Sequence, residues 1–155
     1  MIDDLDRIMG VMQVSFDPAY GEAWTRRQVA DTLLMPRTHY CLINANGLQP
    51  DAEEMAAGFT LSRCVTDEEE LLLIAVSPQF RGKGLGGKLL GSTISASWNR
   101  GMTRVFLEMR EHNPAERLYL RHGFVRAGRR PDYYRNGVSD PIDAITFMLV
   151  KNTAS

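Results

Sequence analysis

The sequence predicts a single α/β domain spanning residues 1–155 and built on a mixed sheet. Three observations carry that expectation. A length of 155 residues suits one core and not comfortably two. The run Leu71-Leu72-Leu73-Ile74-Ala75-Val76 is continuously apolar, as in a strand covered on both faces. After that strand come a glycine loop, a helix, a strand, a second helix and further strands, so the two kinds of element alternate.

The elements follow in order. Leu5, Ile8, Met9 and Met12 recur at helical spacing, and Phe16 continues the stripe, so a first helix is expected over about Asp3 to Phe16. Asp17-Pro18-Ala19-Tyr20-Gly21 breaks it. Thr25 and Gln28 form a capping-box pattern, and the helix they open carries Val29, Leu33 and Leu34 before Pro36. His39 to Asn44 is a short strand, and Asn46-Gly47 is a turn signal. Gln49 to Glu54 is a polar loop. Ala57 to Val65 is a strand, Thr66 to Glu69 a charged turn, and Glu70 to Val76 the next strand. Leu85, Leu89, Leu90, Ile94 and Trp98 make a helical stripe closed by Gly101. Arg104 to Met109 is a strand. Asn113-Pro114 opens a helix carrying Ala115, Leu118 and Tyr119, which stops at Gly123. Phe124 to Ala127 and Ala144 to Val150 are the last strands, with Tyr133 and Tyr134 in a polar loop between them.

Composition removes several classes of function. Apolar residues at 44% and charged residues at 24% argue against disorder. No apolar run approaches the ~18 residues that span a membrane. Eighteen basic and nineteen acidic side chains leave a formal charge of −1, so no general polyanion surface or direct nucleic-acid contact is expected. Cys41 and Cys64 cannot build a disulfide framework and are expected as buried thiols. The acidic start Met-Ile-Asp-Asp-Leu-Asp lacks the basic opening of a signal peptide. A cytoplasmic protein, monomeric or weakly dimeric, is the expectation. His39, His112 and His122 have no metal-ligand spacing, so no metal is expected. A Gly-x-Ser-x-Gly elbow is missing too.

The segment Ser77-Pro78-Gln79-Phe80-Arg81-Gly82-Lys83-Gly84-Leu85-Gly86-Gly87 is the most informative. It follows a buried strand and opens a helix, an arrangement that aims backbone N–H groups at an anion. A turn without a ligand would pay the entropy of so many glycines for no packing return. Gly82-x-Gly84-x-x-Gly87 matches a dinucleotide fingerprint, with Glu108 downstream for a ribose. Four residues, Ser77 to Phe80, separate the strand from Arg81, where that fingerprint needs a tight turn. Gly82-x-x-x-x-Gly87-Lys88 nearly matches a P-loop, but Leu89 stands where a Mg²⁺-binding hydroxyl belongs.

Arg81-x-x-Gly84-x-Gly86, preceded by Ile74-Ala75-Val76-Ser77-Pro78, resembles the pyrophosphate-binding motif of the GNAT superfamily, the acyl-CoA-dependent N-acyltransferases. Leu107-Glu108-Met109-Arg110, Asn113-Pro114-Ala115, Leu118-Tyr119 and Gly123-Phe124 follow at that superfamily's spacing. With Arg129-Arg130-Pro131-Asp132-Tyr133-Tyr134 and Asp143-Ala144, the set resembles the RimI type, which acetylates the N-terminal alanine of a small-subunit ribosomal protein. The resemblance covers about Ala57 to Leu149. It implies a mixed, mostly antiparallel sheet flanked by helices, with a central pair of strands that splays. It implies acetyl-CoA as co-substrate and a protein N-terminus, ribosomal in the related type, as acceptor. Two departures lie in the N-terminal part: the family's first strand is short or missing, and Asp17 to Trp24 is longer than the equivalent loop. That part helps frame the acceptor groove. A Lys side chain or small amine as acceptor, or a non-catalytic acyl-CoA-binding module, are the rival readings.

Acetyl transfer to an amine needs a held thioester, a neutral amine, a polarised carbonyl and a protonated leaving thiolate. The resemblance implies that backbone groups of Ile74 and Val76 pair with the pantetheine arm, an N–H near Val76 polarising the carbonyl. It assigns Arg81, Gly82, Lys83, Gly84, Leu85 and Gly86 to the pyrophosphate, and Asn113 to the cofactor arm. Asn before Pro is also a helix cap. Glu108 is the candidate base, because burial in an apolar strand would raise its pKa. It could equally face outward or pair with Arg104 or Arg110. Tyr119 is the candidate acid for the thiolate; a helical Tyr beside Leu118 can also be core. Tyr133 and Tyr134 are expected to wall a peptide slot, or else to pack their loop down. Asp67-Glu68-Glu69-Glu70 is expected as a solvated turn, with attraction of a basic acceptor as the alternative.

Overall fold

The computed structural model describes residues 2–17, 21–134 and 142–152, and of residues 130 and 132–134 the backbone alone. Helix α1 (Asp4–Ser15) opens on Asp3, whose side chain and that of Asp6 cap each other's backbone N–H. Its apolar stripe of Ile8, Met9, Val11 and Met12 is buried. Arg7 is buried beside them, because its guanidinium bonds the carbonyls of Glu54, Asp51 and Ala52 at 2.8–2.9 Å and the Asp4 carboxylate at 2.8 Å. The polar loop Gln49 to Glu54 is thereby fastened to the helix. Helix α2 (Arg26–Leu34) starts with the expected Thr25–Gln28 capping box. Among the described residues no strand precedes α1.

Six strands then form one sheet: β1 (Thr38–Ile43), β2 (Gly58–Val65), β3 (Glu68–Val76), β4 (Arg104–Arg110), β5 (Val125–Tyr134) and β6 (Ile142–Val150). Their order is β1-β2-β3-β4-β6-β5. All neighbours are antiparallel except β3 and β4. Helices α3 (Leu85–Asn99) and α4 (Glu116–Arg121) complete the chain of elements. Apolar residues of α1 and α2 pack against Phe59, Leu61, Leu73 and Ala75. On the other side, α3 packs Leu85 and Leu89 against Ile43 and Ala57. Tyr119 of α4 joins Val105, Leu107, Met109, Phe124 and Phe147 in a second core.

Pairs β3 and β4 hold register only at Glu68↔Arg104, Glu69↔Val105 and Glu70↔Phe106. Beyond that they diverge, and the expected splayed pair is observed. Each of Leu72, Ile74 and Val76 packs into a core, so β3 is covered on both faces as its sequence predicts.

Three expectations need correction. The turn before β3 is confined to Thr66 and Asp67, since β3 already begins at Glu68. Glu69 is therefore not a solvated turn residue. It is fully buried, and Arg100 Nη2 donates to both of its oxygens at 2.6 and 2.7 Å. Ser62 Oγ also donates to it. Burial pushes the Glu69 carboxyl up, but the hydrogen bonds from Arg100 and Ser62 outweigh it and leave the group below its ordinary value. Second, β5 runs on to Tyr134, so Tyr133 and Tyr134 close a strand instead of sitting in a loop. Third, Cys64 is buried, but Cys41 is only partly so. Among the described residues no helix is long and apolar enough to cross a membrane.

Candidate active site

The divergence of β3 from β4 opens a cleft through the middle of the sheet. Backbone register decides what faces it. Ser77 N–H donates to the Ala57 carbonyl at 2.8 Å, in phase with the Gly58↔Val76 and Thr60↔Ile74 pairs. Antiparallel strands alternate, so Ile74 and Val76 turn their own N–H and C=O groups away from β2 and into the cleft.

The cleft leads into a cavity of about 760 Å³ lined by Ile74 to Val76, Arg81, Gly82, Gly84 to Gly87, Asn113 to Ala115, Leu118 and Tyr119. Gly84 caps α3 with φ +80°, and no side chain caps that helix end. Its first-turn N–H groups therefore have neither intrahelical acceptors nor a capping side chain among the described residues, and the helix dipole points the same way. Gly82 also has φ +80°, and a Cβ built on Gly82 or Gly84 would meet nothing within 4 Å. The two positions thus need glycine for conformation and leave an open cradle above the helix start. This cradle fits a diphosphate.

The other expected residues of the loop divide their roles. Arg81 turns inward: Nε donates to Val76 O and Nη2 to Ser15 O, both at 2.9 Å. It braces the loop against β3 and α1. Lys83 places Nζ 5.7 Å from the Phe80 ring centroid. It does not border the cavity. Leu85 buries its side chain in the core, so only its backbone can serve a ligand. Asn113 Oδ1 accepts from Ala115 N at 2.9 Å, and the α-helix begins at Glu116, two residues after Pro114.

A second cavity of about 350 Å³ lies on the α1–α2 side of the cleft. Glu108 and Met109 border it, with Glu70 to Ile74, Phe16, Glu22, Trp24 and Gln28. Val105, Leu107 and Met109 face the core that holds Tyr119. Strand alternation therefore puts the Glu108 side chain on the opposite face of β4 from Tyr119. Tyr119 is buried, edge-on to Phe124 with centroids 5.8 Å apart and 6.1 Å from Phe147. That packing fixes the ring, and Tyr119 borders both cavities. The two candidate proton-transfer groups thus approach one cleft from its two sides.

Tyr133 and Tyr134 lie at the end of β5, and their side chains are outside the described ones. Among the described residues no group of three or more His, Cys, Asp or Glu is placed to hold a metal ion. The sequence singles out neither Glu22 nor Trp24, and Phe16 only as the continuation of the first helix's apolar stripe. The one signal was the long Asp17 to Trp24 connection, which shows no periodicity from which a facing residue could be chosen. Glu22 contacts Arg110, Oε1 to Nε 3.3 Å, and burial pushes its carboxyl up despite that partner.

Residues 37–126 match the family model described as Acetyltransferase (GNAT) domain. The chain is similar to the [ribosomal protein bS18]-alanine N-acetyltransferase of Haemophilus ducreyi, 31% identical over 107 residues, covering 65% of this chain and 74% of that one. The enzyme of the same name from Salmonella typhimurium is 39% identical over 88 residues, covering 56% of this chain and 60% of that relative's length. Among solved structures, the ribosomal-protein-S18-alanine N-acetyltransferase from Escherichia coli superposes with a TM-score of 0.81 at 27% identity, covering 98% of this chain and 90% of that one. A more distant fold neighbour, yncA from Salmonella typhimurium solved with acetyl-CoA, gives 0.57 at 23% identity over 65% of this chain and 62% of that one.

Proposed function

The chain belongs to the GNAT family of N-acetyltransferases, and from that premise we propose that it moves acetyl from acetyl-CoA to a protein N-terminal α-amine, the alanine of a small-subunit ribosomal protein. The observation that carries the reaction is the cleft itself, with an anion cradle on one side and a carboxylate-lined cavity on the other. The relatives' shared description supports the acceptor.

Bound acetyl-CoA supplies an acetyl group activated as a thioester. The N–H groups at the start of α3, with Gly82, Gly84 and Gly86, hold the diphosphate. Ile74 and Val76 offer backbone groups to the extended arm, and the Val76 N–H polarises the carbonyl oxygen. Asn113 holds the arm from the α4 side. An α-ammonium has a pKa of about 7.7–8.0, so a carboxylate can strip its proton near neutrality, whereas Lys at about 10.4 demands far more. Glu108 accepts that proton, directly or through a water. The amine nitrogen bonds to the acetyl carbon, the carbon–sulfur bond breaks, the Tyr119 phenol protonates the departing sulfur, and the second proton that the nitrogen sheds as the amide forms restores the phenol through water. Tyr133 and Tyr134, at the end of β5, wall the slot that admits the chain end.

Mass spectrometry on peptides incubated with acetyl-CoA tests the reading. A peptide beginning with Ala gains acetyl at its α-amine. The same peptide with a blocked N-terminus and an internal Lys stays unmodified. Efficient acetylation of the internal Lys would overturn the assignment.

A further inference from the structure

Glu22 has no role in the reaction as drawn above, yet it sits where the two cavities meet. It borders both, in company with Phe16, Ile74, Asn113 and Tyr119. Its side chain is only 16% exposed, and that of its partner Arg110 14%. An ordinary loop-to-strand tether on the surface would be solvated and worth little. This one is desolvated at the passage through the sheet.

The placement follows from strand geometry. Arg110 lies two residues after Glu108 on β4, so both side chains leave the same face. The loop between α1 and α2 brings Glu22 down onto that face from above, and Arg110 Nε holds one of its oxygens at 3.3 Å. A carboxylate has about four acceptor positions, and among the described residues the contact with Arg110 is the one that Glu22 makes, which leaves capacity on it. Burial has raised the Glu22 carboxyl, and the nearby Asp17 adds to the push, so Arg110 alone does not fully compensate the buried charge. A second cation at that spot would.

The acceptor brings one. Near neutral pH most α-amines arrive as ammonium. Moving that charge into a partly dry cleft is costly unless a carboxylate meets it. Glu108 must be left to take the proton, so a separate anion is needed to receive and hold the charged group. We propose that Glu22 is that anion: it docks the acceptor's α-ammonium at the passage between the cavities, with Arg110 fixing the orientation of its carboxylate.

The proposal rests on the α-amine reading above, and the test separates the two. Binding is measured by calorimetry on the enzyme saturated with CoA, which carries no acetyl to transfer. The ligands are an Ala-initiated peptide and its desamino analogue, in which hydrogen replaces the amine. The wild type is expected to prefer the amine by about 10-fold or more, the scale of one charge-assisted hydrogen bond. Glu22→Gln, nearly isosteric, is expected to cut that preference to about 2-fold or less on the same scale, while Glu22→Asp keeps most of it. A retained CoA-induced rise in thermal midpoint certifies that each variant is folded. In turnover, Glu22→Gln raises the peptide KM with a much smaller effect on kcat, since the contact already exists in the ground state. A wild-type preference in Glu22→Gln overturns the role of Glu22 while leaving the α-amine reading standing. A wild type that binds and acetylates no N-terminal peptide overturns both.

Discussion

Replacing Gly84 by Ala separates the glycine loop's conformation from its ligand. The residue holds φ +80°, and a Cβ there would touch no protein atom within 4 Å. The cost to the free protein is therefore conformational alone, about 1–2 kcal/mol for a side chain in the left-handed region. At roughly 2–4 °C per kcal/mol for a domain of this size, the thermal midpoint falls by about 2–8 °C. The larger effect is on the ligand. CoA at 100 times its Kd stabilises the wild type by about 2.7 kcal/mol, a rise of about 5–11 °C. The added methyl stands in the open space above the start of α3, where a diphosphate must approach the backbone. If that weakens binding about 100-fold, the increment at the same CoA concentration shrinks to about 0.4 kcal/mol, or about 1–2 °C. Gly91→Ala is the control. It lies inside α3, away from the residues that line the cavity, and its Cβ would meet nothing within 4 Å. Exchanging Gly for Ala in a helix gains up to about 1 kcal/mol, so this variant melts about 2–4 °C higher and keeps most of the CoA increment. Scanning calorimetry across a CoA titration reads both quantities at once. A Gly84→Ala protein with the full wild-type increment would refute the assignment of the cradle.

Four further variants test other parts of the structure. Tyr119→Phe keeps the ring packed on Phe124 and Phe147, so kcat should fall by about 10²-fold with little change in KM, and raising the pH should not restore it; Glu108→Gln should be partly rescued at high pH, where neutral amine is supplied without a base. Steady-state rates from about pH 6.5 to 9.5, spanning the α-amine range, decide between these responses. Arg100→Met strands the buried Glu69 carboxylate and should cost about 3 kcal/mol, the lower end for breaking a buried pair because Arg100 is partly exposed, or about 6–12 °C in thermal midpoint. Because the folded Glu69 carboxyl lies below its ordinary value, its stabilisation is complete above about pH 4.3 and is lost as the pH falls through the lower folded value. Denaturant melts of Glu69→Gln should lack that acid-side dependence.

What could be read from the sequence was whatever has a local cause. The capping box at Thr25, the apolar run of β3, the glycine segment and the Tyr119 helix all declare themselves through spacing within a dozen residues. The splay and the acceptor came from a family resemblance, not from periodicity. Glu69 escaped because alternation was masked: three glutamates in a row look solvated, and only Arg100, thirty-one positions away, shows why the middle one is buried. Tyr133 and Tyr134 were placed in a loop because Arg129, Arg130 and Pro131 look unlike a strand. β5 is an edge strand, and charged or proline residues are tolerated there. Glu22 was invisible for the opposite reason. Its meaning depends on Arg110, 88 positions on, and an aperiodic loop offers no face to assign.

The buried Glu69–Arg100 pair stands at the root of the cleft, since Glu69 is the middle residue of the three that join β3 to β4. From Glu70 to Val76 the strand runs free of β4 for about 20 Å, six residues at roughly 3.3 Å each. That length is a lever arm. A swing of about 3° at the root displaces Val76 by about 1 Å, and misplacement on that scale can cost about 10²-fold in rate. Whatever loosens the fulcrum is therefore magnified at the far end, and a substitution among residues that never meet either substrate can detune the chemistry without melting the protein.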